Sequence, residues 1–493
     1  MRINLIVAVD SNGGISKNNE IPWDIKEDMN FFHDVTKRVY TQNKKNVMIM
    51  GKNTWKKIPS QVRGLKDRIN IVISTTMTKE ELEQDNTTKT EAYLSKSLDE
   101  ALTLCQTLNH CDKVFICGGA SVYKAAMCVE IDEIYLTQID YDYGCDNLID
   151  LDDLDVEDLK KPYSAHTFMV QDHKNNIQVK ATFKKFYNNH PPHLNVNPEE
   201  QQYLDLLENI LNTGHYRQTR NSKTWSTFGK TMEFDLSKGF PILTTKKVFL
   251  RGVFEELLFF LKGDTNAKHL SDKGVKIWDG NTSREFLDSV GLGHYQEGDM
   301  GPLYGFQWNF FNSPYKGCDA DYTGQGFNQI DYCLNLLKTD PYSRRILMTT
   351  YNPAQAKEGV LFPCHGIVIM FHVDENHRLS CMMTQRAVDC GCGLPFNILQ
   401  HSLLVYFFCE VINNDQNYKG PKFSPGRLIM NLGDTHIYED HKEQVIRQIL
   451  REQYEFPQLT FKRKVTVLTD FKFEDLELLN YQTYSALNFK MIA

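Results

Sequence analysis

A chain of 493 residues is too long for one hydrophobic core and points to two or more domains. Its 41% apolar and 24% charged residues are those of an ordinary soluble globular protein. A formal net charge of −8 argues against a general polyanion binder, so neither DNA nor RNA is an expected partner.

Residues 1–187 alternate short β-rich runs with amphipathic stretches. Strands are predicted at Ile3–Val9, Val47–Met50, Ile69–Ser74, Val114–Cys117 and Ile134–Ile139. Helices are predicted at Ile25–Val39, Leu98–Leu108 and Ser121–Met127. Strands separated by helix-length segments predict an α/β domain with a mostly parallel sheet and helices on both faces. Such sheets place ligands at the carboxyl ends of their strands. The acidic stretch Asp140–Asp158 reads as a surface loop. The run Asn188-Asn189-His190-Pro191-Pro192-His193 then breaks regular structure, and residues 188–198 are predicted to be a short, stiff linker.

Residues 199–493 form the second predicted domain. Val253, Phe254, Leu257, Leu258 and Leu261 recur at helical spacing within Arg251–Leu261. His401–Ile412 is apolar nearly all round, the mark of a buried helix. Strand-like runs lie at Arg345–Tyr351, Gly366–Val373 and Leu379–Thr384. This half reads as α+β, a sheet backed by buried helices. The 12 cysteines form no framework, and Cys390-Gly391-Cys392 is the only close pair. Free thiols in a reducing compartment are expected, with no zinc-type spacing and therefore no metal. The opening apolar run ends at Asp10 without a cleavage-site context. The longest strongly apolar stretch, Leu403 to Ile412, is short for a bilayer and holds Glu410. A cytoplasmic chain with no membrane partner is the expectation.

In the first domain Asp28 follows Ile21-Pro22-Trp23 and neighbours Met29, Phe31 and Phe32. A carboxylate in an apolar pocket holds a cationic or amidine-like ligand and assists proton transfer. The alternative is a first-turn acid favoured by the helix dipole. Gly118-Gly119 opens a helix after an apolar strand, where bare backbone can approach a phosphate, although the pattern is not GxGxxG. The segments IVAVDSNGGISKNNEIPW, MGKNTW, LKDRINIVIS and ICGGASVYKAAM occur in that order, and with them residues 1–187 resemble dihydrofolate reductase. The resemblance implies NADPH-dependent reduction of dihydrofolate, with Asp28 orienting the pterin and supporting its protonation. It implies a folate pocket of Ile6, Val7, Asp28, Phe32, Ile58, Leu65, Arg68, Cys117 and Thr137, with Arg68 on the glutamate carboxylate. For NADPH it implies Ala8, Ile15, Gly51, Lys52, Asn53, Thr54, Ser74, Thr75, Gly118, Gly119, Ala120, Ser121 and Tyr123. Gly13 to Ser16 would be the loop over the nicotinamide. Thr75 stands where some relatives have arginine, which leaves the 2′-phosphate to Lys52 and hydroxyls.

In the second domain Cys364 lies in Pro363-Cys364-His365, twenty residues after Arg344 of the pair Arg344-Arg345. A thiolate nucleophile needs cationic surroundings, and paired guanidinium groups suit a phosphate. Together they suggest covalent chemistry on a phosphorylated small molecule. The alternative is a small buried hydrophobe beside solvated arginines. The ordered segments KIWDGNTSREFL, GPLYGFQW, DPYSRRI, PCH, QRAVDCGCGLPFN and GDTHIY make residues 199–493 resemble thymidylate synthase. The whole chain thus resembles the bifunctional dihydrofolate reductase–thymidylate synthases.

That resemblance implies that Cys364 adds to C6 of dUMP and that C5 takes the one-carbon unit of 5,10-methylenetetrahydrofolate. It implies Glu256 for proton transfers through water, with Glu255 the ordinary surface glutamate, and Tyr304 and His365 around the reacting ring. dUMP would meet Arg220, Arg386, Asn397, His436 and Tyr438, and Arg344 and Arg345 from the partner in a homodimer formed through the synthase domain. Trp278, Asn281 and Asp389 would face folate. Asn397 suits uracil, whereas cytosine would favour an aspartate. Ala387 follows Arg386 where the family normally has serine, and the loop Arg220-Asn221-Ser222-Lys223 lacks the usual glycines, which leaves Arg217 as a second arginine nearby. Cys390 and Cys392 replace aliphatic residues and read as packing. The alternative function is a reductase fused to a weakened synthase that serves as a dimer scaffold.

Overall fold

A computed structural model describes residues 1–149, 162–187, 196–219, 222–361 and 364–490. Contacts divide the chain into two compact units, Met1–Leu194 and Asn195–Ala493. Residues 188–195 of the predicted linker lie outside the described residues. Its end does not: Asn197 caps the helix Pro198–Thr213, accepting from the amides of Glu199 and Glu200. An Asn cap followed by Pro at the first helical position is a strong start signal.

The first unit is built on an eight-stranded sheet. Its order is Ala92–Ser95, Arg68–Ile73, Lys45–Gly51, Cys111–Ile116, Arg2–Val9, Glu133–Ile139, Ile177–Tyr187 and Ser164–Asp172. The first six run parallel to their neighbours. Val47, Met48, Ile49, Ile69, Ile71, Val72, Val114 and Ile116 are all fully buried. A parallel sheet covered on both faces demands such unbroken apolar runs, which is why these strands were legible. The helices Lys26–Lys37, Leu98–Thr107 and Ala120–Ala126 fall where predicted. Ser97 caps the second, accepting from Glu100 N.

The last two strands depart from the expectation. Ile177–Tyr187 pairs antiparallel with both Glu133–Ile139 and Ser164–Asp172. Its Val179, Ala181 and Phe183 are buried, while Lys180 between them is exposed. This alternation belongs to an edge hairpin, not to a parallel core strand. Part of the acidic stretch is also ordered, since Asn147–Leu148 pairs with Gly14–Ser16. Residues 150–158 of that stretch lie outside the described residues.

The second unit holds a six-stranded sheet. Its order is His215–Gln218, Lys223–Asp235, Ser424–Tyr438, Arg378–Asp389, Gly366–Val373 and Leu347–Thr349. Only Arg378–Asp389 and Ser424–Tyr438 pair in parallel. The two longest of these strands, Ser424–Tyr438 and Lys223–Asp235, have no counterpart among the predicted strands, because their polar alternation hides them. The predicted strand from Arg345 shrinks to Leu347–Thr349, and Arg344 and Arg345 sit in the preceding turn.

Helix Gly393–Asn414 is longer than the expected His401–Ile412. By length and composition it would cross a bilayer, but 83% of its apolar window is buried within the protein. Phe407 stacks on Phe471 at 3.8 Å and meets Phe254 of helix Leu250–Leu261 at 6.0 Å, while Phe408 stacks on Phe371 of the sheet at 5.0 Å. It is the core helix of this unit.

Candidate active sites

In the first unit, Asp28 lies in the first turn of helix Lys26–Lys37. Phe31 is buried and Phe32 half-buried, but Met29 is 61% exposed and does not wall the pocket. Burial pushes the Asp28 carboxyl above its ordinary pKa, and the Thr137 and Trp23 side chains partly offset it. Trp23 Nε1 is itself buried without a hydrogen bond, so it acts at a distance. Thr137 pairs in register with Ala8, on the strand that also carries Ile6 and Val7. Ile6, Val7, Ala8 and Thr137 lie in the carboxyl-terminal halves of two central parallel strands, toward the edge where open α/β sheets bind ligands.

Arg68 is 5% exposed and forms no ion pair among the described residues. Its Nη1 donates to Thr36 Oγ1 at 2.8 Å, and burial pulls its pKa down to about 10. A buried guanidinium lacking a carboxylate favours an anionic ligand. Ile58 and Leu65, both half-buried, precede it in sequence. Cys117 is half-buried, and its amide donates to Ile49 O at 2.9 Å.

Gly118 has φ +93°, and a Cβ there would meet the Tyr123 ring at 2.7 Å. A Cβ on Gly119 would lie 3.3 Å from Thr54 Oγ1. This turn therefore keeps its backbone bare. Gly51 N donates to Gly118 O at 2.8 Å, joining two of the sequence segments expected to hold a cofactor. Lys52 reaches Thr76 Oγ1 at 3.3 Å, and Ser74 Oγ accepts from the amides of Thr76 and Met77. Asn53, Thr75 and Ser121 are exposed, whereas Ile15, Thr54 and Ala120 are half-buried. Tyr123 is different: it is buried and its hydroxyl donates to Ile6 O at 2.8 Å. It braces the central strand instead of offering a free hydroxyl.

In the second unit, Cys364 is 2% exposed and its Sγ faces Gly366 O at 3.1 Å. Burial pushes the thiol pKa up to about 11, against the opposing charge of Arg386. Arg386 N donates to His365 O at 2.8 Å, which seats the arginine beside the cysteine loop. Protein crowding, then the Arg386 and His436 charges, push the His365 ring down to about 4, although it is open to solvent. Tyr304, with φ +43°, accepts from His365 N at 3.4 Å and stacks on Phe260 at 4.9 Å.

Glu256 receives Trp278 Nε1 at 2.8 Å and Gln400 Nε2 at 3.1 Å. Burial still outweighs both and raises its pKa to about 7. The neighbouring Glu255 was expected at the surface, but it is 8% exposed and bound to Lys273 at 2.7 Å. Helix Leu250–Leu261 is apolar on so many sides that both glutamates are drawn inward. Asn397 Oδ1 accepts from Gln385 Nε2 at 3.0 Å, which leaves its own amide hydrogens for a ligand. Gln385 and Gln400 went unnoticed in the sequence. Gln385 adjoins Arg386, and that adjacency was the available signal.

His436 Nδ1 lies 3.0 Å from Asp434 Oδ1 and its ring meets Tyr438 at 5.2 Å. Arg217 Nη2 is bound to Asp434 Oδ2 at 2.5 Å, the carboxylate that also meets His436. Arg220 lies outside the described residues. Arg344 and Arg345 are exposed, and their guanidinium groups have no partner among the described residues. Asn281 is half-buried, one turn after Trp278. Asp389 accepts from Gly391 N at 2.8 Å; burial would raise its pKa, but His441 and these bonds bring it below the usual range. Asp389, Cys392 and His441 bring ligand-type atoms together, a grouping no spacing motif announced.

The fold and these groups define an enzyme with two candidate sites on one chain, centred on a carboxylate in the first unit and a thiol in the second. Residues 2–186 match the family described as Dihydrofolate reductase, and residues 201–493 match Thymidylate synthase. Similar proteins named bifunctional dihydrofolate reductase-thymidylate synthase come from three distant organisms. The protein of Paramecium tetraurelia is 36% identical, over 99% of this chain and 98% of its own. Those of Zea mays and Leishmania major are also 36% identical over 99% of this chain, covering 96% and 94% of their own lengths. The chain belongs to the bifunctional dihydrofolate reductase–thymidylate synthase family.

Proposed function

We propose that this chain converts dUMP to dTMP through a Cys364 adduct and reduces the dihydrofolate so formed with NADPH. The observation that carries the reading is the grouping of Cys364, Arg386, His365 and Tyr304 in one unit, with Glu256 at about 7 beside Trp278. Cys364 Sγ bonds to C6 of the uracil ring, and C5 then attacks the one-carbon unit of methylenetetrahydrofolate. Glu256 accepts the C5 proton through water, a hydride from the tetrahydrofolate completes the methyl group and leaves dihydrofolate, and the Cys364 thiolate departs from C6 as the ring double bond is restored. Asn397 presents its amide to the ring edge, and His436 and Tyr438 hold the ribose hydroxyl. The phosphate is met by Arg386, Arg220 and the partner's copies of Arg344 and Arg345. Trp278, Asn281 and Asp389 line the folate side. Release of tritium from C5-labelled dUMP tests the reading, and intact protein that releases none is the scaffold alternative instead.

In the reductase unit, Asp28 orients the pterin and supports its protonation, and Ile6, Val7, Phe32, Ile58, Leu65, Cys117 and Thr137 enclose it. Arg68 pairs with the glutamate carboxylate. NADPH, when bound, supplies the reducing equivalent. The bare Gly118-Gly119 turn fits its phosphates, with Gly51, Lys52, Asn53, Thr54, Ser74, Thr75, Ala120 and Ser121 around it. Ala8 and Ile15 border the nicotinamide side.

A homodimer is favoured by the synthase sheet. Leu347, Met370, Met382 and Ile429 stand in one cross-strand row. Phe371 packs on the core helix, so the alternate residue Met370 points the other way. Leu347, at the end of this apolar row, is 41% exposed. A second copy would cover it and bring exposed Arg344 and Arg345 to an interface.

Two further outcomes follow. Glu256 with a pKa near 7 makes kcat/KM of the synthase fall as pH drops through 7, because the protonated carboxyl cannot accept the C5 proton. Glu256→Gln should remove that limb and slow turnover by roughly 10²–10⁴-fold; a pH–rate profile reads both. Ala387 pairs with Asp434 across the strands and offers no hydroxyl. Ala387→Ser should tighten dUMP by about tenfold or more, since a hydrogen bond to a charged group contributes roughly 1.5–3 kcal/mol. Calorimetric titration with dUMP measures it.

A further inference from the structure

We propose that Asp389, Cys392 and His441 form a site for one zinc-class divalent ion, and that this ion closes the folate side of the synthase. The carboxylate, thiol and imidazole atoms all lie within 4.8 Å of one another. Tetrahedral zinc with bonds of about 2.0–2.3 Å needs ligand atoms roughly 3.3–3.8 Å apart. One edge already has that length: His441 Nδ1 stands 3.6 Å from Asp389 Oδ1. This is too long for a hydrogen bond, and it matches two ligands of one ion. A contraction of about 1 Å at the longest edge completes the set. The mixture of oxygen, sulfur and nitrogen donors is one that zinc accepts.

His441 supplies the second, independent observation. Its ring is fully buried, and Nδ1 has no hydrogen-bond partner. Nε2 faces the Lys490 carbonyl at 2.7 Å. A carbonyl only accepts, so Nε2 carries the hydrogen. Nδ1 then faces the Asp389 carboxylate across 3.6 Å, a gap that one bound cation would bridge. A backbone carbonyl holding the far N–H is also the usual way a ligating imidazole is oriented. Asp389 is fixed in turn by Gly391 N at 2.8 Å and Cys392 N at 3.3 Å. Lys246 is the opposing charge. Its Nζ donates to Gly391 O at 2.5 Å and lies 4.1 Å over the Phe489 ring, so its charge is directed at a carbonyl and a π face.

Binding releases the Cys392 thiol proton to solvent and changes no oxidation state. The site itself stands on these contacts alone. Closure of the folate side rests on the reading of Asp389 as a folate residue given above.

Full-length protein titrated with Co²⁺ tests the site without any turnover. One equivalent should give a thiolate-to-cobalt charge-transfer band, which Zn²⁺ then displaces. The band should persist in Cys364→Ser and vanish in Cys392→Val, a substitution toward the aliphatic residue the family normally carries. No band in the parent, or an unchanged band in Cys392→Val, overturns the site. Synthase assays with Zn²⁺ then test closure: the apparent KM for methylenetetrahydrofolate should rise at least tenfold in the parent and stay unchanged in Cys392→Val. A parent that binds cobalt but keeps its KM overturns closure and leaves the site. Synthase activity without added metal reports separately on the proposed function.

Discussion

Cys364→Ser should abolish thymidylate formation and leave NADPH-dependent dihydrofolate reduction unchanged. The loss should be on the order of 10⁴-fold or more, the scale on which covalent enzymes respond to removal of the nucleophile. Serine has nearly the volume of cysteine, so the 2% exposed site keeps its packing. What changes is the chemistry. Burial already pushes the Cys364 thiol to about 11, and Arg386 is the charge that opposes this. A serine hydroxyl is a far weaker acid, and Arg386 cannot bring its alkoxide into reach. Tritium release from C5-labelled dUMP reads the adduct directly, since C5 becomes acidic only once C6 is attacked. The reductase assay on the same sample is the internal control, because Asp28 and the bare glycine turn belong to the other compact unit. Release at a sizeable fraction of the parent rate would assign the nucleophile to another residue.

The parts of this fold that were legible are those where one requirement dominates. Central parallel strands such as Arg68–Ile73 must be apolar throughout, and the sequence reads so. The buried helix around His401 announced itself by having no polar face. Lys223–Asp235 and Ser424–Tyr438 were not legible, because half of each faces outward and polar residues interrupt the pattern. At the sites, residue type singled out Cys364 and Asp28, which the fold sets beside Arg386 and near Thr137 respectively. It failed where the environment decides. Glu255 and Glu256 are adjacent and identical in type; one is paired with Lys273, and burial raises the other to about 7 against the Trp278 and Gln400 hydrogen bonds. Likewise Tyr123, which the resemblance assigns to the cofactor, spends its hydroxyl on Ile6. His441 lies so far along the chain from Asp389 that only the folded sheet brings them together.

Asp28→Asn should cost the reductase roughly 10²–10⁴-fold in kcat at neutral pH, the usual contribution of a positioned acid or base. Asparagine keeps the shape and can still reach Thr137, but it holds neither the proton nor the charge. Dihydrofolate must then arrive already protonated, so the rate of the variant should keep rising as pH falls, while the parent levels off once its own carboxyl is protonated. Stability should move the opposite way. Burial raises the Asp28 pKa in the folded state, so the folded protein binds this proton more tightly than the unfolded chain does. Ionising Asp28 therefore costs stability once pH exceeds the ordinary carboxylate value, and that cost is fully present above the raised folded pKa. Below the ordinary value it is absent. Asp28→Asn removes the cost, so the ligand-free variant should melt higher than the parent at neutral pH, with the difference fading in acid. A residue kept for packing would lose rate and stability together; one kept as a buried acid loses rate and gains stability. Thermal melts and pH–rate profiles of the same pair distinguish these directly.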